Sequence, residues 1–307
     1  MQHITLIMNP KAGNQKLHDQ LDFILEKLQT IAPEVAVHYT QQEEDGFRFV
    51  QEVAPYTDLL IIAGGDGTVH TCINGLASLS RRPPLAILPG GTCNDFARTL
   101  GYSQDPVEAI DQIMKRNERK IDVAQHNDSY FLNFWGIGLI TQVSNEIEPE
   151  MKKKWGRLAY YLSAWKQFDQ SESFEVEIQS DDYQYQGPAQ MVLIGNGAYV
   201  GGLKAYFPLS SVEDGQLDVL VFKTFSLEAI TAMFSSHITR DQPQNESLDF
   251  FRTKEIKIST TPAQQIDCDG EKTTKTPSLI RTLPGHLRMW VGDDYLNPIN
   301  SEDDQSD

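Results

Sequence analysis

Gly64-Gly65-Asp66-Gly67-Thr68 sets one carboxylate among three glycines, directly after the apolar run Leu59-Leu60-Ile61-Ile62-Ala63. Glycines in such a turn let backbone N–H groups approach phosphate oxygens closely. The plain alternative is a strand-to-helix turn with an aspartate cap, but three glycines around one Asp and a Thr are denser than capping requires. A second pattern of this kind, Asn9-Pro10-Lys11-Ala12-Gly13, follows the apolar run from Ile4 to Met8. Asn9 and Gly13 offer amide and backbone donors to a nucleotide, with Lys11 as a phosphate partner. Taken alone it reads equally well as a capped turn, because it is looser than a Walker loop. A third, Pro89-Gly90-Gly91-Thr92-Cys93-Asn94-Asp95-Phe96-Ala97-Arg98, follows Leu85-Ala86-Ile87-Leu88.

Three further carboxylate positions stand out. Asp122 interrupts the apolar stretch Lys120-Ile121-Asp122-Val123. A buried carboxylate is costly unless paired or metal-bound, which points to a charged network; the alternative is a strand end that reaches water. In Ser211-Val212-Glu213-Asp214-Gly215-Gln216-Leu217-Asp218, the Asp-Gly turn could present one carboxylate and neighbouring carbonyls to a hard cation such as Mg²⁺. Alone, the turn is better read as a hairpin. In Ile266-Asp267-Cys268-Asp269-Gly270-Glu271, a turn followed at once by Glu could project a general base into a cleft between domains, although it too is a hairpin signal.

The elements that must position these residues fall into two rhythms. Up to Ala124, short apolar runs alternate with helical spacing. Leu17, Leu21, Ile24, Leu25 and Leu28 mark one helix, and Val35 to Tyr39 a strand ending at Thr40. Phe47, Val50 and Ala54 mark a second helix, Val69, Cys72, Ile73 and Leu76 a third, and Val107 to Met114 a fourth. Repeated βα units that each put Gly, Asn, Asp or Thr at the same edge predict a parallel sheet with one continuous polar rim. Beyond Ala124, strand-like runs dominate: Tyr130–Trp135, Phe174–Ile178, Tyr183–Gln186, Met191–Ile194, Leu217–Phe222, Glu255–Ser259, Gln265–Cys268 and Leu287–Val291. Asp181-Asp182, Gly201-Gly202, Asp214-Gly215 and Asp269-Gly270 punctuate them. Helical insertions are expected at Lys154–Phe168 and Leu227–Ile238. The reading is therefore an α/β nucleotide-binding domain over 1–124 and a mainly antiparallel β domain over 125–291. The join near Asp122–Asn127 is short, and 292–307 returns to the first domain or is disordered.

A chain of 307 residues can bury two full cores. Three scattered cysteines, Cys72, Cys93 and Cys268, suggest neither a disulfide framework nor a zinc site. The formal net charge of −17 disfavours a nucleic-acid partner and opposes bulk adhesion to anionic membranes. Part of that charge lies in the acidic tail 301–307, which has no apolar residue to bury. The opening residues lack a leader pattern and no run approaches the ~18 apolar residues of a membrane span, so a cytoplasmic protein is expected. Lipid contact would have to be local. Lys152-Lys153-Lys154-Trp155-Gly156-Arg157, continued by Tyr160, Tyr161 and Trp165, is a basic-aromatic cluster suited to a membrane interface. The alternative is an ordinary helix with a solvated basic end.

With Gly64–Thr68, Pro89–Ala97, Glu213-Asp214-Gly215 and Asp269-Gly270-Glu271 in that order, the chain resembles the soluble bacterial diacylglycerol kinase family, which also takes in sphingosine and ceramide kinases. The similarity runs from Asn9 to about Val291, and the fold it implies is that of NAD kinases and diacylglycerol kinases. The resemblance implies that Asn9, Pro10, Lys11, Ala12, Gly13, Thr40, Gly65, Asp66, Gly67, Thr68, Val69, His70, Thr71 and Thr92 hold ATP. It makes Glu271 the base that takes the proton from a lipid hydroxyl, with Asp66 the second catalytic carboxylate. Ser211, Asp214 and Gln216 look like the family's structural Mg²⁺ site, the first and last through backbone carbonyls. Asp66, Asp95 and Asp122 look like an acidic network linking metal and nucleotide. Gln216 stands where the family often has Leu, a change a carbonyl ligand survives, and Cys93 replaces the usual Thr or Val. The implied partner is a lipid at the inner face of the cell membrane, met peripherally and transiently, with a homodimer compatible.

Two rivals share part of this pattern. NAD kinases also carry Gly-Gly-Asp-Gly-Thr, but grip the acceptor ribose with an Asn-Glu pair that opens a strand; Asn145-Glu146 here reads as a helix end. A regulator that has lost catalysis would lack Asp66, Asp214 or Glu271, and all three are present.

Overall fold

The computed structural model describes residues 1–143, 173–202, 204, 207, 210–224, 226, 228, 229, 231–233, 243 and 245–296. The chain divides into two compact units, Met1–Val123 with Pro284–Asp307, and Ala124–Leu283. Its return to the first unit begins at Pro284, upstream of the position 292 read from the sequence.

In the first unit, β1 (His3–Met8), β2 (Glu34–Tyr39), β3 (Leu59–Gly64) and β4 (Leu85–Pro89) run parallel in the order β2-β1-β3-β4. The second half of the last strand, β16 (Ser278–Trp290), joins β4 in parallel through Met289 and Leu85. β5 (Glu118–His126) pairs with β16. β3 and β4 are buried along their whole length, which is why the sequence shows unbroken apolar runs there. β2, at the sheet edge, carries no buried residue. The order reverses between β1 and β3, so the turns after these two strands flank the switch point where open α/β sheets bind ligands.

The helix read over Leu17 to Leu28 is interrupted. A 3-10 turn at Ala12–Gln15 leads to α1 (Lys16–Asp19), and α2 (Leu21–Gln29) starts beyond Gln20. Leu17 is freed to lie against the backbone of Gly90, where an added Cβ would stand 2.1 Å from its Cδ1. α3 (Asp45–Val53) buries Val50 as spaced, but Phe47 is exposed. α4 (Asp66–Ala77) buries Val69, Cys72, Ile73 and Leu76, the four positions its spacing predicts. α5 (Asp95–Thr99) is one short turn, and α6 (Pro106–Ile113) starts at Asp105, whose side chain accepts the Val107 and Glu108 N–H groups.

The second unit is a sandwich. The run Tyr130–Trp135, read as one strand, is two: β6 (Ser129–Phe131) and β7 (Phe134–Gly138), with a corner at Leu132-Asn133, before α7 (Leu139–Val143). Then follow β8 (Phe174–Ser180), β9 (Gln184–Ala189), β10 (Met191–Gly195), β11 (Leu217–Phe222), β12 (Leu248–Thr253), β13 (Glu255–Thr261), β14 (Gln265–Cys268) and β15 (Glu271–Lys275). One antiparallel sheet has the order β12-β11-β10-β7-β14-β15; the first half of β16, β13, β8 and β9 are paired in the other. Trp135, Val192, Val219 and Ile266 of the first meet Val176, Ile178, Ile256 and Ile280 of the second in one core. Leu193, Leu220 and Phe222 point the other way, under Leu139, Phe207 and Met233. With both faces covered, β10 and β11 show no alternation, whereas β8 alternates strictly over its first six residues.

Asp181-Asp182 makes the β8–β9 hairpin, Gln179 pairing with Gln184. Asp214-Gly215 does not make a hairpin: it precedes β11, whose partner β10 ends at Gly195, before a long connection. The polar edge strand β15 carries no apolar pattern that the sequence reading could use, and β12 has only Leu248, Phe250 and Phe251. Residues 228, 229 and 231–233, within the expected insertion 227–238, are helical. The insertion at 154–168, the cluster from Lys152 to Arg157 with Tyr160, Tyr161 and Trp165, the pair Asn145-Glu146 and the tail 301–307 lie outside the described residues. No described helix is long and apolar enough to cross a membrane.

Candidate active site

In the first unit, the turns after β1, β3 and β4 interlock backbone to backbone. The Gly90 N–H donates to the Gly64 carbonyl at 2.9 Å. A Cβ on Gly13, which sits at φ +56, would fall 2.1 Å from the Gly90 carbonyl oxygen, and one on Gly91 2.6 Å from the Gly65 Cα. The glycines credited with admitting phosphate are thus required first by one another. Asn9 joins the two sides of the switch point: its Nδ2 donates to Thr68 Oγ1 at 3.2 Å, and its Oδ1 accepts the Lys11 N–H at 3.0 Å. Lys11 and Thr92 are exposed, and Pro10, Ala12, Gly65, Gly67, Thr68, His70 and Thr71 are partly so. Thr40 is buried and its N–H extends the ladder to the Met8 carbonyl at 2.9 Å. Val69 is also buried, with its N–H bonded to the Gly65 carbonyl at 3.0 Å.

Asp66 opens α4 yet does not cap that helix, whose N-cap is Gly65. Its two carboxylate oxygens instead accept the backbone N–H groups of Asn94 at 2.8 Å and Asp95 at 2.6 Å, where α5 begins. Asn94, in the left-handed conformation at φ 50, accepts the Gly91 N–H on Oδ1 at 2.7 Å and donates to Gln104 Oε1 at 2.9 Å. One carboxylate therefore fastens the third turn onto the second by charge-assisted bonds. Asp95 is buried beside it. Asp122 is buried on β5 and accepts the Gly285 N–H from β16 at 2.6 Å.

In the second unit, β14 and β15 close a two-residue hairpin in which Cys268 pairs with Glu271. Asp269 and Gly270 have φ +54 and +92, the geometry of a type I′ turn. The Asp269 carboxylate accepts three consecutive backbone N–H groups of the corner before β7: Leu132 at 2.9 Å, Asn133 at 2.8 Å and Phe134 at 3.0 Å. Asp267 accepts the Gly270 N–H at 2.9 Å. Glu271 stands partly exposed at the start of β15. His126 is buried behind this strand, its ring nitrogens 3.4 Å from Thr273 Oγ1 and 3.3 Å from Ser278 Oγ. Of the pair Asp269 and Glu271, it is Asp269 that holds the turn.

The Ser211–Gln216 loop is anchored by Arg252. Its guanidinium bonds Asp214 Oδ2 and, through Nε at 2.8 Å, Oδ1 of Asp218, its directly opposite neighbour across the β11–β12 pair. Burial pushes the Asp218 carboxyl up to about 6, against the pull of Arg252. Asp214 Oδ1 also accepts the Gln216 N–H at 2.9 Å. A carboxylate has about four lone-pair sites, so these two bonds leave acceptor capacity. One carboxylate with backbone carbonyls at 211 and 216 is a hard-oxygen set of the kind Mg²⁺ takes, so the donor chemistry fits the expected cation. Among the described residues no cluster of three or more His, Cys, Asp or Glu offers a denser cage. Arg252, Asp269, His126 and the corner at 132–134 carried no sequence signal of these roles, because each acts on residues distant in the chain.

A family model described as the diacylglycerol kinase catalytic domain matches residues 3–126, and one described as the YegS C-terminal NAD kinase beta sandwich-like domain matches residues 137–291. A diacylglycerol kinase of Bacillus subtilis (strain 168) is 31% identical over 291 residues, covering 94% of this chain and 96% of that protein. A crystal structure of a diacylglycerol kinase from Bacillus anthracis str. Sterne is 39% identical with a TM-score of 0.80, covering 95% of this chain and 97% of its own. A second structure from that strain, described provisionally as a diacylglycerol kinase, is 41% identical with a TM-score of 0.83 and 96% of each chain covered.

Proposed function

Because the chain belongs to the diacylglycerol kinase catalytic-domain family, we propose that it is an ATP-dependent lipid kinase that converts diacylglycerol to phosphatidic acid in the presence of Mg²⁺. The observation that carries this reading is the interlock of three phosphate-type turns around Asp66 at the switch point of a parallel sheet. Such an edge offers backbone donors and a fixed carboxylate where a triphosphate docks.

In this reading Asn9–Gly13, Thr40, Gly65–Thr71 and Thr92 hold ATP. The lipid hydroxyl oxygen forms a bond to the γ-phosphorus as the bond to the β,γ-bridging oxygen breaks, and the hydroxyl proton passes to the Glu271 carboxylate. Asp66 fixes the edge on which the phosphates sit, with Asp95 and Asp122 as its acidic surroundings. Ser211 and Gln216 carbonyls and the Asp214 carboxylate would hold a structural Mg²⁺. A Mg²⁺ bound with the nucleotide would neutralise phosphate charge, which matters in a chain with few basic residues near these motifs.

Glu271→Gln should lower transfer at least ~100-fold, the usual scale for losing a general base, with the thermal transition unchanged. Asp66→Ala should abolish transfer too, but also cost about 2 kcal/mol of stability, because two buried-side N–H groups lose their acceptor. Near-wild-type turnover in either variant would overturn its assigned role.

Access to the lipid is proposed to run through Lys152 to Arg157 at the inner face of the cell membrane. Charge reversal at Lys152, Lys153 and Lys154 should weaken liposome binding and spare activity on detergent-solubilised lipid. Equal liposome binding by that variant would remove the patch from the mechanism. A phosphatidylglycerol or sphingoid-base acceptor would use the same catalytic groups and is distinguished by competition between lipids.

A further inference from the structure

Three strand ends and one loop meet at one end of the sheet β12-β11-β10-β7-β14-β15. Asn196 follows β10, Asp269 follows β14, the corner 132–134 precedes β7, and the Ser211–Gln216 loop precedes β11. The bonds among them form an unbroken series. Ser210, next to the loop, donates from Oγ to the Asn196 carbonyl at 3.1 Å. Asn196 Nδ2 donates to the Leu132 carbonyl at 2.7 Å, and the Asn196 and Gly197 N–H groups donate to the Asn133 carbonyl at 2.8 and 3.0 Å. The N–H groups of that same corner are the three held by Asp269, whose own N–H returns to the Phe134 carbonyl at 3.0 Å. Glu271 lies two residues on. Asn196 is 1% exposed and Asn133 4%, so these bonds are shielded from water, and an amide lost there would leave buried backbone acceptors unmet.

We propose that Asn196 is a positioning residue that ties the Ser211–Gln216 loop to the turn carrying Glu271, so that a cation held by the loop steadies the base. The proposal rests on the reading of Ser211, Asp214 and Gln216 as a cation site and of Glu271 as the base. It adds the element that makes the two depend on each other. The bare loop is pinned at one end by Arg252 and at the other through Ser210. A cation that orders the 211 and 216 carbonyls therefore restricts Ser210 and, through Asn196, the corner on which Asp269 hangs. Coupled sites of this kind commonly differ by a factor of five or more between the two states.

Hydrogen exchange of the full chain, titrated with MgCl₂ without nucleotide or lipid, tests this. In the wild type, Mg²⁺ should slow exchange at 211–216 and, over the same concentration range, by about fivefold at 268–271. Asn196→Ala, which removes the Nδ2 bond to the Leu132 carbonyl but leaves the backbone bonds to Ser210 and Asn133, should keep the first response and weaken the second. Its kcat should fall while KM for ATP stays unchanged, a split that general loosening of the fold would not give. Ser210→Ala, which removes a single partly exposed hydroxyl, should weaken the response at 268–271 in the same direction and covers the case of a poorly folded Asn196 variant. Protection at 211–216 without any at 268–271 in the wild type, or an undiminished response at 268–271 in both variants, would overturn the proposal. No Mg²⁺ response at 211–216 would remove the cation site itself and the proposal with it.

Discussion

The glycine edge of the first unit and the carboxylate corner of the second solve one problem by different means. Both must hold irregular backbone still at the ends of strands. In the first unit, turn packs directly on turn: Gly13 on Gly90 and Gly65 on Gly91, with no side chain between them. In the second, Asp269 and Asn196 reach across from one strand end to the next and take up the backbone groups there. Backbone-on-backbone contact excludes any side chain. A side-chain clamp tolerates graded change. The difference explains why the edge of the first unit is marked by glycines and the corner of the second by a carboxylate and an amide.

Substitutions that separate close contact from conformation sharpen the comparison. Gly13→Ala places a methyl group on a backbone oxygen at positive φ, so about 3 kcal/mol or more of stability should be lost in urea unfolding. Gly270→Ala meets nothing within 4 Å and bears only the cost of positive φ, about 1 kcal/mol. Equal losses at the two sites would mean that the turns of the first unit are not interlocked as described. Between them lies Asp269→Asn, which keeps the shape of the clamp but replaces one accepting oxygen by a donor. It should cost about 2 kcal/mol and lower kcat, with KM for ATP unchanged. A fall in ATP affinity instead would detach Asp269 from the Glu271 turn.

Much of this was legible in the chain because the relevant forces are local. Unbroken apolar runs revealed β3 and β4, since strands covered on both faces need no polar side. The bounds of β11 and β14 agree with the readings Leu217–Phe222 and Gln265–Cys268. The Asp-Gly pair at 269–270 is a two-residue hairpin, as its composition suggests. The same pair at 214–215 is not, because the partners of β11 lie elsewhere and no local rule reports that. The polar edge strand β15, which carries Glu271, has no apolar periodicity to find. Least legible were the clamps. The Leu132 N–H held by Asp269 lies 137 positions away in the chain, and Asp66 looks like the cap of its own helix until the Asn94 and Asp95 N–H groups are seen on its carboxylate. Side chains that bind distant backbone leave no spacing in the sequence.

The proposed activity is phosphorylation of a lipid hydroxyl, with Glu271 proposed as the base. Incubating the purified protein with γ-labelled ATP, Mg²⁺ and a panel of diacylglycerol, phosphatidylglycerol, sphingosine and NAD, beside its Glu271→Gln variant, tests it most directly. Label should enter diacylglycerol with the wild type, and the variant should transfer at least ~100-fold less. Label in NAD, or equal labelling of lipid by Glu271→Gln, would contradict the account.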